Sequence, residues 1–438
     1  MSTVPCVPMR FRAVEVASAT HGQLHGPDVE IDGVAFDSRS LQPGQLFVPI
    51  VADRDGHDFI PDALARGAAA YLTDRAPVGG TAIQVSDTVR ALMAFAAVKR
   101  QEFNGTVIGI TGSVGKTSTK DLAWAALAAS TTTWANERSF NNEQGLPTAI
   151  LNTPAETEVL VLEMGMRGFG EIADLCRIAQ PTIGVVTLVA EAHGDRVGGI
   201  DGVARAKSEL IAALPSHGVA IFNADDGRTR AMSAVSAAPV LLFGESNDAD
   251  VRIRDVSVDE LARASFQLDT PWGAHQVQLG ISGQHMVHNA AAALACVGAV
   301  GGDVAAGAAA LATARLSSMR MEMMQLASGA LLLNDAYNAN PTSMRAALDT
   351  LAQLTATRRL AVLGLMAEIP NAVVEHRAVL QHAHDLGIEV LAYETDLYGI
   401  APVADPVVAL ASLASGVAVL VKASRVVGLE SLVARLLR

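Results

Sequence analysis

The run Gly109-Ile110-Thr111-Gly112-Ser113-Val114-Gly115-Lys116-Thr117-Ser118 has the residue types that a phosphate-binding loop requires. A β-branched, apolar stretch over residues 106–110 precedes it, and a helical pattern starts at Lys116, so the loop joins a strand to a helix. Successive N–H groups in such a turn converge on phosphate oxygens, and the helix N-terminus adds partial positive charge. Gly112 and Gly115 let the backbone come close to an anion. Lys116 is expected to reach the β- and γ-phosphates of ATP, and the Thr117 hydroxyl to help hold Mg2+. Ser113, Val114 and Ser118 complete the expected nucleotide contacts. The strict pattern has Gly where this chain has Ile110, so the loop is a relaxed form. Chance produces glycine-rich turns too, but the strand–loop–helix setting argues against chance here.

Glu163 ends the apolar run Val159-Leu160-Val161-Leu162. A carboxylate at the C-terminal end of a parallel strand lies on the edge where α/β sheets bind ligands, and beside a phosphate loop it is expected to hold Mg2+. Two further groups are ambiguous from the residues alone. Lys207 falls on a helical stretch, where a lone Lys is ordinarily solvated, and His193 falls in a strand-to-helix loop, where a lone His is ordinarily a surface residue.

The elements that must place these groups follow a regular rhythm. Residues 158–163, 183–189, 219–223 and 240–244 read as short buried strands. Residues 169–178, 203–214 and 286–300 read as helices between or after them, with a late strand at 274–281. Short apolar strands alternating with helices predict a parallel sheet covered on both faces. Before this unit, residues 29–36 and 45–51 read as strands and 60–67 and 88–103 as helices, with a turn-rich loop at Asp53-Arg54-Asp55-Gly56-His57. After it, strands at 331–335, 360–364, 388–393 and 417–421 alternate with helices at 343–354, 373–386 and 426–437, a doubly wound pattern.

At 438 residues the chain is too long for one core. Half of its residues are hydrophobic, which suits packed domains and excludes a disordered chain. The formal charge of −13, from 32 Lys+Arg against 45 Asp+Glu, argues against nucleic acid and anionic membranes as partners. Cys6, Cys176 and Cys296 fit neither a metal motif nor a disulfide framework, and point to a reducing compartment. No secretory signal is legible at the N-terminus, and the longest apolar region, 289–311, is interrupted by Asp303. A cytoplasmic protein is expected.

Blocks spread over nearly the whole chain resemble the Mur ligase family. They are Asp37-Ser38-Arg39, Asp55-Gly56-His57-Asp58-Phe59, the Thr111–Thr117 loop, Asn141-Asn142-Glu143, Glu163-Met164-Gly165, Ala192-His193, Ala206-Lys207-Ser208-Glu209-Leu210, Gly283-Gln284-His285 with Asn289-Ala290, Asp335-Ala336-Tyr337-Asn338-Ala339-Asn340-Pro341, and Val421-Lys422-Ala423-Ser424-Arg425. The Tyr337–Pro341 string is similar to that of the members that add D-alanyl-D-alanine. The resemblance implies an α/β chain of three domains. These are a small N-terminal α/β domain for the UDP end of the substrate (1–102), a central P-loop parallel-sheet ATPase domain (103–315) and a C-terminal Rossmann-like domain (316–438).

It also implies a monomeric ligase using ATP, UDP-N-acetylmuramoyl-tripeptide and D-alanyl-D-alanine through an acyl-phosphate. Thr117, Glu163, His193 and a carbamylated Lys207 would hold metal. Lys116, His193 and Lys207 would serve the chemistry. Asn289 would read the adenine edge, and Arg320, Asp335, Tyr337 and Asn338 would meet the nucleotide from the third domain. Ser38 and Arg39, with Asp58 and Phe59, would face the uridine end, and Asn142 the muramoyl-peptide. Several positions depart from the family's usual residues: Met319 and Ala423 stand for Gly, Leu365 for Asp, and Gly194-Asp195-Arg196 follows His193. These leave open a paralogue using another amine, and intact Lys116, Glu163 and Lys207 speak against a non-catalytic nucleotide-binding protein. The general base for the amine is not legible.

Overall fold

A computed structural model of the chain describes residues 9–137, 139–190, 197–410 and 413–437. Its centre is a nine-stranded sheet. Val159–Glu163 and Ile183–Val186 flank Thr106–Thr111 on either side, all parallel. Thr133–Ala135 pairs outside Val159–Glu163, while Val219–Asn223, Val240–Gly244 and Val251–Val258 continue the parallel run beyond Ile183–Val186. The chain leaves Thr106–Thr111, builds one flank, then crosses to the other, so the phosphate loop opens at the point where strand order reverses. All five side chains of Val159–Glu163 are buried. Each buried aliphatic one contributes about 1.5–3 kcal/mol, and together they draw the terminal Glu163 into the protein.

The far end of the sheet was not legible in sequence. Val251–Val258, Arg263–Thr270 and Gly273–Ser282 form an antiparallel meander, of which only the last strand was expected. The long apolar region is two helices, Met286–Val300 and Val304–Ala310. Gly301 closes the first in the left-handed conformation, and the Asp303 side chain accepts from Ala306 N–H to open the second. Among the described residues no helix is long and apolar enough to cross a membrane.

The first unit carries a five-stranded sheet of Gln23–His25, Ala82–Gln84, Ala70–Thr73, Leu46–Phe47 and Val34–Ala35. The single strand expected at 29–36 is two. Gly33, with φ 81°, turns the chain so that Glu30–Asp32 pairs antiparallel with Arg10–Arg12 while Val34–Ala35 joins the larger sheet. The helix Thr88–Glu102 is capped by the Asp87 side chain and runs on to the central unit. There the buried Arg100 donates to Ala179 O at 2.6 Å, Gln180 O at 3.1 Å and Phe103 O at 2.9 Å. These are carbonyls at the C-terminal end of Glu171–Ala179 and of its own helix, the end where a cation is favoured.

The third unit is a five-stranded sheet ordered Glu322–Gln325, Leu331–Asn334, Val417–Lys422, Arg358–Leu363, Glu389–Ala392, parallel except for the first pair. The last expected helix, 426–437, is shorter. A left-handed Gly428 separates the 3-10 turn Arg425–Val427 from Glu430–Leu436. The α/β, three-domain architecture expected from sequence stands.

Candidate functional site

The phosphate loop leaves the Thr106–Thr111 strand and ends at Gly115, the N-cap of the helix Lys116–Leu127. Its two glycines are required by their neighbours. A Cβ on Gly112 would lie 1.9 Å from Thr187 Oγ1, and one on Gly115 would lie 2.6 Å from Asn289 Oδ1. The loop is strapped to the chain that follows Ile183–Val186: Ser113 N–H donates to Leu188 O at 2.7 Å, Ser113 Oγ to Ala190 O at 2.7 Å, and Thr187 Oγ1 to Val114 O at 2.6 Å. The Ile110 departure is harmless to this geometry, because Ile110 is a buried strand residue before the turn begins.

Two lysines converge on one oxygen. Lys116 Nζ donates to Gly112 O at 2.8 Å and Lys207 Nζ donates to the same atom at 3.0 Å. Lys207 is 4% exposed. Burial and then the neighbouring Lys116 charge hold it well below the ordinary lysine value. Lys116 opens on the cleft and is depressed too, first by desolvation, with Glu163 opposing and Arg320 adding to the effect. Glu163, 1% exposed, is tied by both oxygens: Thr117 Oγ1 donates to Oε2 at 2.7 Å and Asn141 Nδ2 to Oε1 at 2.6 Å. Its own N–H donates to Asn136 Oδ1 at 2.9 Å.

A cleft of about 1270 Å³ surrounds these groups. Gly112, Ser113, Val114, Gly115, Lys116, Thr117, Ser118, Glu163, Lys207, Asn289 and Asn142 line it, and so do Arg320, Asp335, Tyr337 and Asn338 of the third unit. Arg320 stacks over the Tyr337 ring at 4.2 Å and donates through Nη2 to Ser139 Oγ at 3.0 Å, which ties the third unit to the loop after Thr133–Ala135. Asp335 forms an ion pair with the buried Lys422, which also donates to Asn338 O at 2.8 Å. Asn289 sits on the helix Met286–Val300, its Oδ1 accepting from Thr119 Oγ1 at 3.3 Å.

Not every expected residue is gathered here. Ser38, Arg39, Asp58 and Phe59 do not line the cleft and belong to the first unit. Arg39 is a fork already engaged by Asp37 at 2.7 Å, the pair that holds the Asp37 carboxyl below its usual value, and Phe59 packs under Arg54 at 5.3 Å. His193 lies outside the described residues. Asn142 lines the cleft, but its Oδ1 also accepts from Gly145 N–H at 3.0 Å at the start of the helix Gly145–Leu151.

Ser139 and Asp225 line the cleft without any signal in the sequence, and Asn141, His285 and Lys422 line it too, standing in the family-like blocks but given no role from sequence. The Asn-Asn-Glu string carried a signal for Asn141 beside Asn142. Of the third-unit departures, Ala423 is accommodated by Gly364: a Cβ on Gly364 would come 2.7 Å from the Ala423 Cβ.

Comparison with known proteins gives a consistent result. Residues 30–100 match the pattern described as Mur ligase family, catalytic domain; residues 110–297 match Mur ligase middle domain; residues 319–425 match Mur ligase, glutamate ligase domain. The chain is 42% identical over 376 residues to the UDP-N-acetylmuramoyl-tripeptide--D-alanyl-D-alanine ligase of Mycobacterium tuberculosis, covering 78% of this chain and 73% of that one. Among solved structures, MurF from Acinetobacter baumannii superposes with a TM-score of 0.87 at 29% identity, over 98% of this chain and 99% of that one. The Thermotoga maritima MurF ligase in complex with ADP gives 0.80 at 28% identity, over 92% and 96%.

Proposed function

This chain belongs to the Mur ligase family, and from that premise we propose how its cleft joins an acid to an amine. It is an ATP-dependent ligase that adds D-alanyl-D-alanine to UDP-N-acetylmuramoyl-tripeptide in peptidoglycan precursor synthesis. The observation that supports the site assignment is the placement of Lys116, Lys207 and the Glu163–Thr117 pair on one wall of a cleft whose other wall is Arg320, Asp335, Tyr337 and Asn338.

A carboxylate cannot expel oxide, so it must first gain a leaving group. Its oxygen attacks the γ-phosphorus of ATP, the bond to ADP breaks, and an acyl-phosphate forms. Two anions must meet for this, and the cost is lowered by fixed positive groups aimed at the transferred charge. Lys116 and the amides of residues 112–118 face the phosphates, and Arg320 approaches from the third unit. The dipeptide amine then attacks the carbonyl carbon, the C–O bond to phosphate breaks, phosphate leaves with the electron pair, and the nitrogen loses a proton.

The donor set fits Mg2+. The Glu163 carboxylate and Thr117 hydroxyl are hard oxygen ligands held 2.7 Å apart, and phosphate oxygens and water suit the remaining positions. When bound, the ion neutralises charge on the transferred phosphoryl group. Lys207 suits carbamylation: burial beside Lys116 favours its neutral amine, the form that adds to carbon dioxide, and the product would be an anionic oxygen ligand next to a lysine cation. We assign His193 to the same metal site, Asn289 to adenine, and Ser38, Arg39, Asp58 and Phe59 to the uridine end on resemblance. The domains are assigned as 1–102, 103–315 and 316–438. A cytoplasmic monomer completes the reading on resemblance, and the acidic composition supports the absence of nucleic-acid and anionic-membrane partners.

The test is phosphate release by the purified protein with ATP, UDP-N-acetylmuramoyl-tripeptide and a panel of amines. D-alanyl-D-alanine is expected to drive turnover, and Lys116→Ala to reduce it at least about a thousandfold with the fold retained, since the loop cation faces the transferred charge. Release with some other amine alone would refute the acceptor, and an active Lys116→Ala would refute the site.

A further inference from the structure

One turn after the phosphate loop, Lys120 and Asp121 sit on the Lys116–Leu127 helix, 2% and 8% exposed, and neither lines the cleft. Lys120 Nζ donates to the Asn136 carbonyl at 2.7 Å and pairs with Asp121 Oδ1 at 3.1 Å. The other Asp121 oxygen accepts the Ser317 N–H at 2.7 Å. The pair thus has the segment after Thr133–Ala135 on one side and the chain leading into the third unit on the other.

Both sides carry groups of the site. Asn136 accepts the Glu163 N–H and donates through Nδ2 to Phe140 O at 2.9 Å, closing a turn. Ser139 Oγ lies 3.0 Å from Thr117 Oγ1 and accepts from Arg320, and Asn141 holds Glu163. On the opposite side, Arg320 stands between two residues in the left-handed region, Met319 at φ 61° and Met321 at φ 45°. Such a conformation persists only where surrounding contacts impose it. A buried ion pair is a poor source of stability compared with apolar side chains of similar size, and its best-attested use is to fix one arrangement among several.

We propose that Lys120 and Asp121 are positioning residues for the ligase reaction: they set the segment bearing Ser139 and Asn141 in register with the start of the third unit, so that Thr117, Glu163 and Arg320 reach the nucleotide in one geometry. The proposal rests on the ATP-binding reading of the cleft. It assigns the pair to the nucleotide half of the reaction and not to the UDP-linked substrate.

The experiment compares wild type, Lys120→Met, Asp121→Asn and Ser139→Ala, with Lys120→Met also made in the Ser139→Ala background. Lys120→Met is expected to lower kcat/KM for ATP at least tenfold while KM for the UDP-linked substrate stays within twofold. Asp121→Asn, which keeps an acceptor for Ser317 N–H but loses the charge, is expected to lose less. In the Ser139→Ala background the effect of Lys120→Met is expected to shrink to threefold or less, because Lys120 acts through the segment that carries Ser139. Wild-type kinetics in Lys120→Met, equal losses for both substrates, or effects that multiply in full would each overturn the proposal. Should Lys120→Met not fold, Asp121→Asn decides by the same split between substrates. Direct titration with a non-hydrolysable ATP analogue separates the two readings. A wild type that binds the analogue but shows no dipeptide-dependent turnover undermines the ligase assignment, whereas variants that bind it as wild type does undermine the pair.

Discussion

Gly115→Ala isolates what the phosphate loop requires of its backbone. Gly115 has φ 84° and ψ −8°, a left-handed conformation that costs a residue with a Cβ about 1–2 kcal/mol. The new methyl carbon would stand 2.6 Å from Asn289 Oδ1, well inside contact, so the loop or Asn289 must move. If Asn289 gives way, its 3.3 Å contact with Thr119 Oγ1 goes as well, a loss of about 1 kcal/mol. The total is about 2–3 kcal/mol. Borne wholly by the nucleotide-binding geometry, that is a weakening of ATP binding by roughly 30- to 150-fold at a tenfold change per 1.4 kcal/mol. Gly301→Ala is the matched control: its φ is 83°, and a Cβ there meets nothing within 4 Å. It carries the same backbone strain away from the loop. Calorimetric titration with ADP and an ATP analogue, alongside thermal unfolding, should show both variants destabilised and only Gly115→Ala impaired in binding. Equal nucleotide affinity in the two variants would refute the argument that close packing against Asn289 sets the loop.

Three other outcomes follow from the same geometry. Glu163→Gln keeps the size of the side chain but removes the charge that faces the loop, and should lower kcat by about 100-fold or more with little change in affinity for the UDP-linked substrate, measured by steady-state kinetics. Lys207 has a folded-state value depressed below 10.5, so the unfolded chain binds the extra proton and an unmodified Lys207 opposes folding at neutral pH. Lys207→Met should therefore be inactive yet melt no lower than unmodified wild type at pH 7, with wild type gaining on it as pH rises toward 10.5. His285 is lowered to about 4, chiefly by burial, so stability present above its ordinary value of 6.5 is lost as pH falls from there toward 4. His285→Gln should flatten acid denaturation in that window.

The candidate site was legible where its information is local. The loop, its strand and its helix are consecutive, and glycine spacing with a following Lys-Thr has few other uses. Glu163 was legible because an apolar strand ended in a charge. What the pattern could not show were contacts between distant segments. Ser139 and Asn141 meet Thr117 and Glu163, each 22 residues away, and nothing in its own neighbourhood marks Ser139. Asn141 and Asn142 both line the cleft, and the doublet by itself gives no indication of which amide meets Glu163. The meander was partly missed because its strands face solvent on one side and carry charges, with a register shift between Arg254 and Ser257. Met319 stands for a Gly, and the structure explains why that position favours one: it adopts a left-handed conformation there.

The anchoring of Arg100 has a consequence for how the molecule divides. Its guanidinium grips two carbonyls from the second unit while riding on the helix that ends the first. Cutting the peptide chain near Asn104 would leave the two pieces clasped together, with the long helix serving as a splint. The C-terminal unit is held to the second by separate ties, the Ser317 N–H on Asp121 and the Arg320 guanidinium on Ser139.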